Sequence, residues 1–460
     1  MSTRARLLPE VAVIAAIHAL ACVLVLRLGF DHVSDDDFAR VTIAQSFAHA
    51  PKLDASGTSW LPFPFWALGS VMIVAGRSLA TARGASIAFA SLAAILPYLA
   101  LRMTGASRPA ARLAMAFAMI SPWSLWLGAA TVPESFTASF TAAAATALGS
   151  TRGPRLSLAA RSGFAVALLA ACLSRYEPWP VAAVLAIVLA VRGARALRAR
   201  SGRGDKVPDD ERADASSDLV LAAIVASGPL LWMAWNAHAH GDALHFFQRV
   251  ARFKRALGEG SPGTLEALLL YPRLFVMRRP DVVLALALAF TFGHVFVKSR
   301  AEVRAAWLVP LGCAAAEVAF LAYGNARDGA PAHHAERALL GVFFLTAMFA
   351  ADVLVLAAPA ALARARTAAL AVAAAGVLAW LANDAVALRD VPGNGPSEAR
   401  SAQISAGSAL RAQNVEHVEI TPCAFEHFAL VAAFGAPEKV AVSPRTDAPV
   451  TASCPAVERR

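Results

Sequence analysis

The sequence predicts an all-α polytopic membrane protein, and three observations carry that expectation. Hydrophobic residues make up 58% of the 460-residue chain and charged residues only 16%, against about 25% charged in a soluble domain. Mean hydropathy is +0.55. The apolar residues fall in long runs, among them Val11–Leu26, Phe164–Leu173 and Val282–Phe292. Backbone in lipid must satisfy its own hydrogen bonds, so such runs read as helices rather than open sheet. About eleven spanning helices are expected from these runs, with juxtamembrane helices in the first outer loop and a small C-terminal α/β tail. Residues 1–382 form the transmembrane domain and 383–460 the tail.

Taken in order, the expected spans are 9–29, 82–101, 109–128, 133–149, 156–173, 178–192, 218–236, 281–297, 305–323, 338–358 and 367–382. The first follows a basic Met-Ser-Thr-Arg-Ala-Arg start, as a signal peptide would. It is long enough to span, however, and no small-residue cleavage site precedes Asp31, so it reads as a helix that stays. Trp60–Gly76 is apolar, but Pro62 and Pro64 disrupt its start. If it does not cross, the loops 102–108, 152–155, 192–212, 298–304 and 364–366 share one side, and each is rich in arginine. The positive-inside rule makes that side cytoplasmic. Trp60–Gly76 is therefore expected to lie in the outer interface as an aromatic amphipathic helix. The loop His238–Arg279 runs against the rule, facing out while carrying Arg249, Arg252, Lys254 and Arg255. Ser201–Ser217 is charged and reads as a disordered cytoplasmic linker.

The formal net charge of +10 would suggest nucleic acid in a soluble protein. Here the basic residues flank apolar segments and act as topology signals, so no nucleic-acid partner is expected. Cys22, Cys172 and Cys313 sit in apolar runs as packing residues. Cys423 and Cys454 lie in the tail and are expected to pair if it is exported. The tail follows a Pro392-Gly393-Asn394-Gly395-Pro396 hinge, with alternating runs at His417–Thr421 and Lys439–Ser443 flanking an apolar Ala424–Phe434.

Polar residues able to do chemistry gather in four outward segments. Asp35, Asp36 and Asp37 follow the first span directly. A helix N-cap near Ser34 or Asp35 accounts for one or two of these acids. Three beside a bilayer repel, so at least one needs a cationic partner or a raised pKa. Val132-Pro133-Glu134 opens a span, where an acid also suits the helix start. Ser174-Arg175-Tyr176-Glu177 offers an Arg175–Glu177 pair. His333-His334-Ala335-Glu336-Arg337 enters a late span; adjacent histidines without spaced ligands are a weak metal signal, and no metal is expected. Arg337 suits a phosphate through bidentate bonds. Glu317, inside a span, needs a partner or a cavity. No Gly-rich phosphate loop, nucleophile elbow or zinc spacing occurs.

Asp35-Asp36-Asp37-Phe38, then Arg40, then Trp60-Leu61-Pro62-Phe63-Pro64-Phe65-Trp66 resembles the first outer loop of the C-type superfamily of integral membrane glycosyltransferases. Protein O-mannosyltransferases and the aminoarabinose transferase of lipid A belong to it. Val132-Pro133-Glu134 and Glu336-Arg337 resemble its later signatures, in order, and the likeness runs over about Met1–Leu381. Phe38 stands where an aromatic hydroxyl is frequent, and three acids stand where two are usual. The resemblance implies an inverting, metal-independent enzyme without cofactor that uses a polyprenyl-phosphate sugar donor. The acceptor is a hydroxyl on a glycan, lipid or protein. A bacterial inner membrane location follows, with the active site facing the periplasm. A carboxylate must act as general base on the acceptor, with Asp36 first, Asp35 second and Glu134 orienting the acceptor or a cation. The leaving phosphate needs cations. Arg337, Arg175, Arg249 and Arg252 are the expected donor-binding groups, with Glu177 and His334 beside them. A transporter or lipid flippase is the alternative, favoured by Glu317 and weakened by the lack of internal repeats. A non-catalytic scaffold would have no use for the acidic triplet.

Overall fold

The computed structural model describes residues 3–119, 121–153, 156–201, 209–256, 265–330, 334–387, 400–421, 425–443 and 458–459. The chain opens with α1 (Thr3–Arg27), and the short helices α2 (Asp36–His49) and α3 (Phe63–Ala75) follow. Pro62 and Pro64 stand at the start of α3, where a missing N–H costs nothing. Gly76, at φ 90°, ends it in a conformation that glycine takes without strain. Thirteen residues span about 20 Å at 1.5 Å each, short of the ~30 Å hydrocarbon core, which accords with a segment that does not cross. The helix is not amphipathic as expected, however. It buries Phe65, Leu68 and Met72, yet Ile73 and Val74 on the other side are 55% and 89% exposed.

The succeeding helices are α4 (Leu79–Ala93), α5 (Ile95–Met103), α6 (Arg108–Met119), α7 (Pro122–Ala129), α8 (Glu134–Gly149), α9 (Leu158–Cys172), α10 (Pro178–Ser201) and α11 (Asp209–His240). They lead into α12 (His245–Ala256), α13 (Leu265–Arg278), α14 (Pro280–Val295), α15 (Arg300–Ala326) and α16 (Leu340–Ala387). The tail supplies α17 (Ser401–Ala412), α18 (His427–Phe434) and the strands β1 (Val418–Ile420), β2 (Val440–Val442) and β3 (Glu458–Arg459). The protein is an all-α integral membrane protein. Among the described residues, six helical segments are long and apolar enough to cross: Leu7–Arg27, Leu79–Met103, Pro178–Arg198, Ser216–His240, Arg300–Ala326 and Ala335–Arg364. A seventh arises if α6 and α7 count as one broken span.

That number is below the expected eleven for two physical reasons. Helices α8, α9 and α14 hold only 15 or 16 residues, under the ~20 needed to span upright. Helix α16 runs unbroken through 364–366, where a loop between two spans was expected. Alanine and arginine are both strong helix formers, so the Ala-rich stretch carries the helix on. The expected linker at 201–217 is also partly helical, since α11 begins at Asp209.

The chain forms two compact units. The first comprises Met1–His18, Leu92–Ser124 and Glu134–Arg389. Here α16 packs on α6, α8, α14 and α15, burying Phe343, Phe344 and Met348. Small residues let helices approach closely: a Cβ on Gly149 would meet the Val309 side chain at 2.9 Å. Arg152, expected as a cytoplasmic loop cation, is instead buried, its Nη1 2.5 Å from Asp352 Oδ2, which also accepts from Trp307 Nε1 at 2.8 Å.

The second unit comprises Ala19–Ser91, Leu125–Pro133 and Asp390–Arg460, so the tail shares a core with the first loop. Phe38, Val41 and Ala44 of α2 pack with Leu68 and Met72 of α3 and with Ala429, Ala432 and Ala433 of α18. Gln45 Nε2 donates to the carbonyl of Ala432 at 2.8 Å. Arg77 makes a two-pronged bond to Glu438, 2.8 Å at each oxygen. Burial alone would push the Glu438 carboxyl up, but the Arg77 fork outweighs it and holds the group below the ordinary value. That contact is therefore present at neutral pH and lost as pH falls through the lowered value. The alternating runs do form strands. β1 and β2 are parallel neighbours joined through α18, and β3 pairs antiparallel on the other edge of β1. Gly407 is required where α17 meets α18, since a Cβ there would lie 2.2 Å from the Leu430 carbonyl. The hinge at 392–396, Cys423 and Cys454 lie outside the described residues, so the disulfide stays an expectation.

Candidate active site

The three acids of the first loop take three different positions in the second unit. Asp37 is 2% exposed. Its Oδ2 accepts from the backbone N–H of Val33 and Ser34, both at 3.2 Å, and its Oδ1 from that of Thr131 at 3.3 Å. Thr131 Oγ1 returns a bond to the Asp37 carbonyl at 2.8 Å. Asp37 therefore closes the turn ahead of α2 and ties it to the 131 segment. Asp35 occupies the N-cap position but makes no side-chain cap bond, contrary to expectation; the backbone N–H of Asp37 donates instead to the Ser34 carbonyl at 3.0 Å. It is gripped instead by Arg400, Nε to Oδ1 at 2.7 Å and Nη2 to Oδ2 at 3.0 Å. This is the cationic partner that three adjacent acids call for. Asp36 sits half-buried on the first turn of α2, about 100° around the helix from Asp37.

Around them, Arg83 Nη2 donates to the Asp31 carbonyl at 2.9 Å. Burial pushes the His32 imidazole below its ordinary value; Asp35 opposes the shift and Arg400 reinforces it. Arg40 is buried with its guanidinium 4.5 Å above the Trp60 ring and 5.8 Å from that of Phe65, a cation–π stack linking α2 to α3. This is the physical content of the Arg40 and Trp60 motif.

In the first unit a second charged cluster forms around Arg175. Its Nη1 donates to Glu134 Oε1 at 2.6 Å and its Nε to Glu177 Oε1 at 2.9 Å. Arg337 Nε lies 3.4 Å from the same Glu134 oxygen. Glu134 is 2% exposed, so two arginines share one buried carboxylate. Glu336, beside Arg337 on a single 3₁₀ turn, is approached by Arg278 at 3.7 Å. Thus Glu134, Arg175, Glu177 and Arg337, expected from separate motifs, belong to one network. His334 precedes that turn in a left-handed conformation, φ 49°, its ring 6.2 Å from Trp123; His333 lies outside the described residues. Arg249 and Arg252 are on the exposed side of α12. Glu317 is fully enclosed against Gly341 of α16, 3.1 Å from where a Cβ would stand, and among the described residues its Oε2 has no hydrogen-bond partner. Among the described residues, no group of three or more His, Cys, Asp or Glu side chains is arranged to hold a metal ion.

The fold has solved counterparts. Over 95% of its length the chain is similar to ArnT from Cupriavidus metallidurans bound to undecaprenyl phosphate, with a TM-score of 0.52, 17% identity and 90% of that protein covered. The chain has the fold of the C-type membrane glycosyltransferases. Apo ArnT from the same organism gives a TM-score of 0.50 at 15% identity, covering 95% of this chain and 76% of that one. No protein-family model and no curated protein matches the sequence. In the C-type fold, the motifs quoted from the sequence sort by unit: the acidic triplet into the second, and Glu134 and Glu336-Arg337 into the first. Sequence reasoning missed Arg400, a single arginine 365 residues from Asp35 with no motif around it. It also missed the pairing of Arg175 with Glu134, although both residues were singled out.

Proposed function

We propose that this protein transfers a sugar from a polyprenyl-phosphate carrier to an acceptor hydroxyl at the extracytoplasmic membrane face, with Asp36 as general base. The sorting of the three acids carries this reading. Asp37 closes a backbone turn and Asp35 sits in the Arg400 fork, whereas Asp36 stands half-buried on the first turn of α2, where an acceptor hydroxyl can approach it. The C-type fold supports it, as does the undecaprenyl phosphate bound to the similar ArnT structure.

In the proposed step Asp36 takes the acceptor proton as the hydroxyl oxygen attacks the anomeric carbon. The bond from that carbon to the carrier phosphate breaks, inverting the centre, and the lipid phosphate leaves with the bonding pair. Arg337 and Arg175 offset the growing phosphate charge. Glu134 holds both arginines in place, so the cations are preorganised rather than drawn in during reaction. Transfer from radiolabelled polyprenyl-phosphate sugars by the purified protein tests the reading; no transfer from any such donor to any acceptor would end it.

Arg337→Ala is expected to weaken donor binding by about 1.5–3 kcal/mol, the usual worth of a hydrogen bond to a charged group. Arg337→Lys should recover only part, because an ammonium cannot reproduce the planar fork. Unchanged donor affinity in Arg337→Ala would move the phosphate role to Arg175. The orientation is tested separately. A cysteine at Asp54 should react with an impermeant thiol reagent from outside intact cells, and one at Ser107 should not. Labelling of Ser107→Cys from outside would invert the proposed sides.

A further inference from the structure

We infer that α12 is an interfacial helix whose outer stripe docks on the headgroups of anionic phospholipids, independently of the carrier lipid. The span Ser216–His240 ends four residues before α12 begins at His245, a gap of at most about 14 Å even if fully extended. The gap is not extended. Asp242 accepts from the backbone N–H of Leu244 at 2.9 Å and from Gln248 Nε2 at 2.7 Å, so the chain turns straight into α12 at the span's end. The helix therefore starts at headgroup depth.

Its two sides differ in kind. The inner side buries Phe246, Ala251 and Lys254. Phe246 stacks on Tyr176 at 4.6 Å and meets Trp179 edge-on at 5.3 Å. Lys254 Nζ reaches Asn325 Oδ1 at 3.0 Å, which anchors the helix to the end of α15. The outer side exposes Arg249, Arg252, Phe253 and Arg255, with Phe253 55% exposed among the arginines. Among the described residues no carboxylate forms an ion pair with Arg252 or Arg255; their Nε atoms bond back to the α12 carbonyls of Gln248 and Ala251. A rigidly held helix with basic residues around one exposed aromatic ring matches an anionic headgroup layer, cations at the phosphates and the ring among the upper chains. The same match accounts for arginines on a loop that the positive-inside rule would leave neutral: they hold lipid rather than set topology.

The test places a fluorescent thiol label at Phe253→Cys in the full-length protein, with wild type labelled in parallel as background. The protein goes into nanodiscs of equal phosphatidylglycerol and phosphatidylcholine, bromine being carried on the chains of one lipid or the other. Brominated phosphatidylglycerol is expected to quench the label more than brominated phosphatidylcholine. Each arginine neutralised should lower that preference by about fivefold, and R249Q/R252Q/R255Q together by on the order of a hundredfold. A triple lysine variant should keep it, which separates loss of charge from misfolding, and 0.5 M salt should shrink it. Equal quenching by the two lipids, or no quenching by either, would overturn the inference. So would a preference that a few mole per cent of polyprenyl phosphate abolishes, since the carrier would then be the occupant.

Discussion

Asp36→Asn is expected to lower sugar-transfer turnover by about 10²–10⁴-fold while leaving donor affinity near wild type, the signature of a lost general base. The neighbouring amides provide the contrast, because each acid is held differently. Asp37→Asn replaces an acceptor-only carboxylate that takes three backbone N–H groups. Its defect should therefore appear in stability and expression before it appears in chemistry. Asp35→Asn leaves the Arg400 fork without its charge partner and should fall between the two. Single-turnover transfer with bound donor, read beside donor affinity, separates the three. Near-normal transfer by Asp36→Asn would take the base role from Asp36, and if all three amides transfer normally the first loop is not the catalytic centre.

The second large effect is on the Arg175 network. Arg175→Ala leaves Glu134 and Glu177 buried with their main cation gone. Truncating one partner of a buried pair costs about 3–5 kcal/mol, mostly through the charge left behind. Thermal unfolding in detergent should show that loss, and donor affinity should fall with it because Arg175 is one of the two cations proposed for the donor phosphate. Glu134→Gln combined with Arg175→Gln removes both charges and should recover much of the stability without recovering activity. An Arg175→Ala protein as stable as wild type would mean that Arg337 alone suffices to hold Glu134. If the double variant stays active, neither residue serves the reaction.

What the sequence determined by itself lies at the level of class and composition. Long apolar runs in lipid have helix as their stable form, so the membrane class and the all-α fold were legible from Val11–Leu26 or Val282–Phe292 alone. Pro62 and Pro64 marked a disrupted start for Trp60–Gly76, and the arginine-rich loops 102–108, 152–155, 192–212, 298–304 and 364–366 argued that it does not cross. The tail's strands were visible as alternating runs. The residue types needed for the chemistry were also in view: three aspartates after the first span, Glu134, Arg175 and Arg337.

What each of those groups does with its charge was decided only by tertiary structure, because the deciding partners are remote in the chain. Asp37 meets Thr131 at a separation of 94 residues, Arg175 meets Glu134 at 41, and Asp35 meets Arg400 at 365. No local propensity encodes such pairings. They arise when packing brings buried polar groups together and each must find a partner or bear the cost of desolvation. The same holds for the span count and for the tail. Whether a loop at 364–366 breaks α16 depends on what the helix packs against as well as on its arginines. The tail joins the first loop because Ala429, Ala432 and Ala433 fit the faces of α2 and α3, a complementarity that exists only once all three helices have formed.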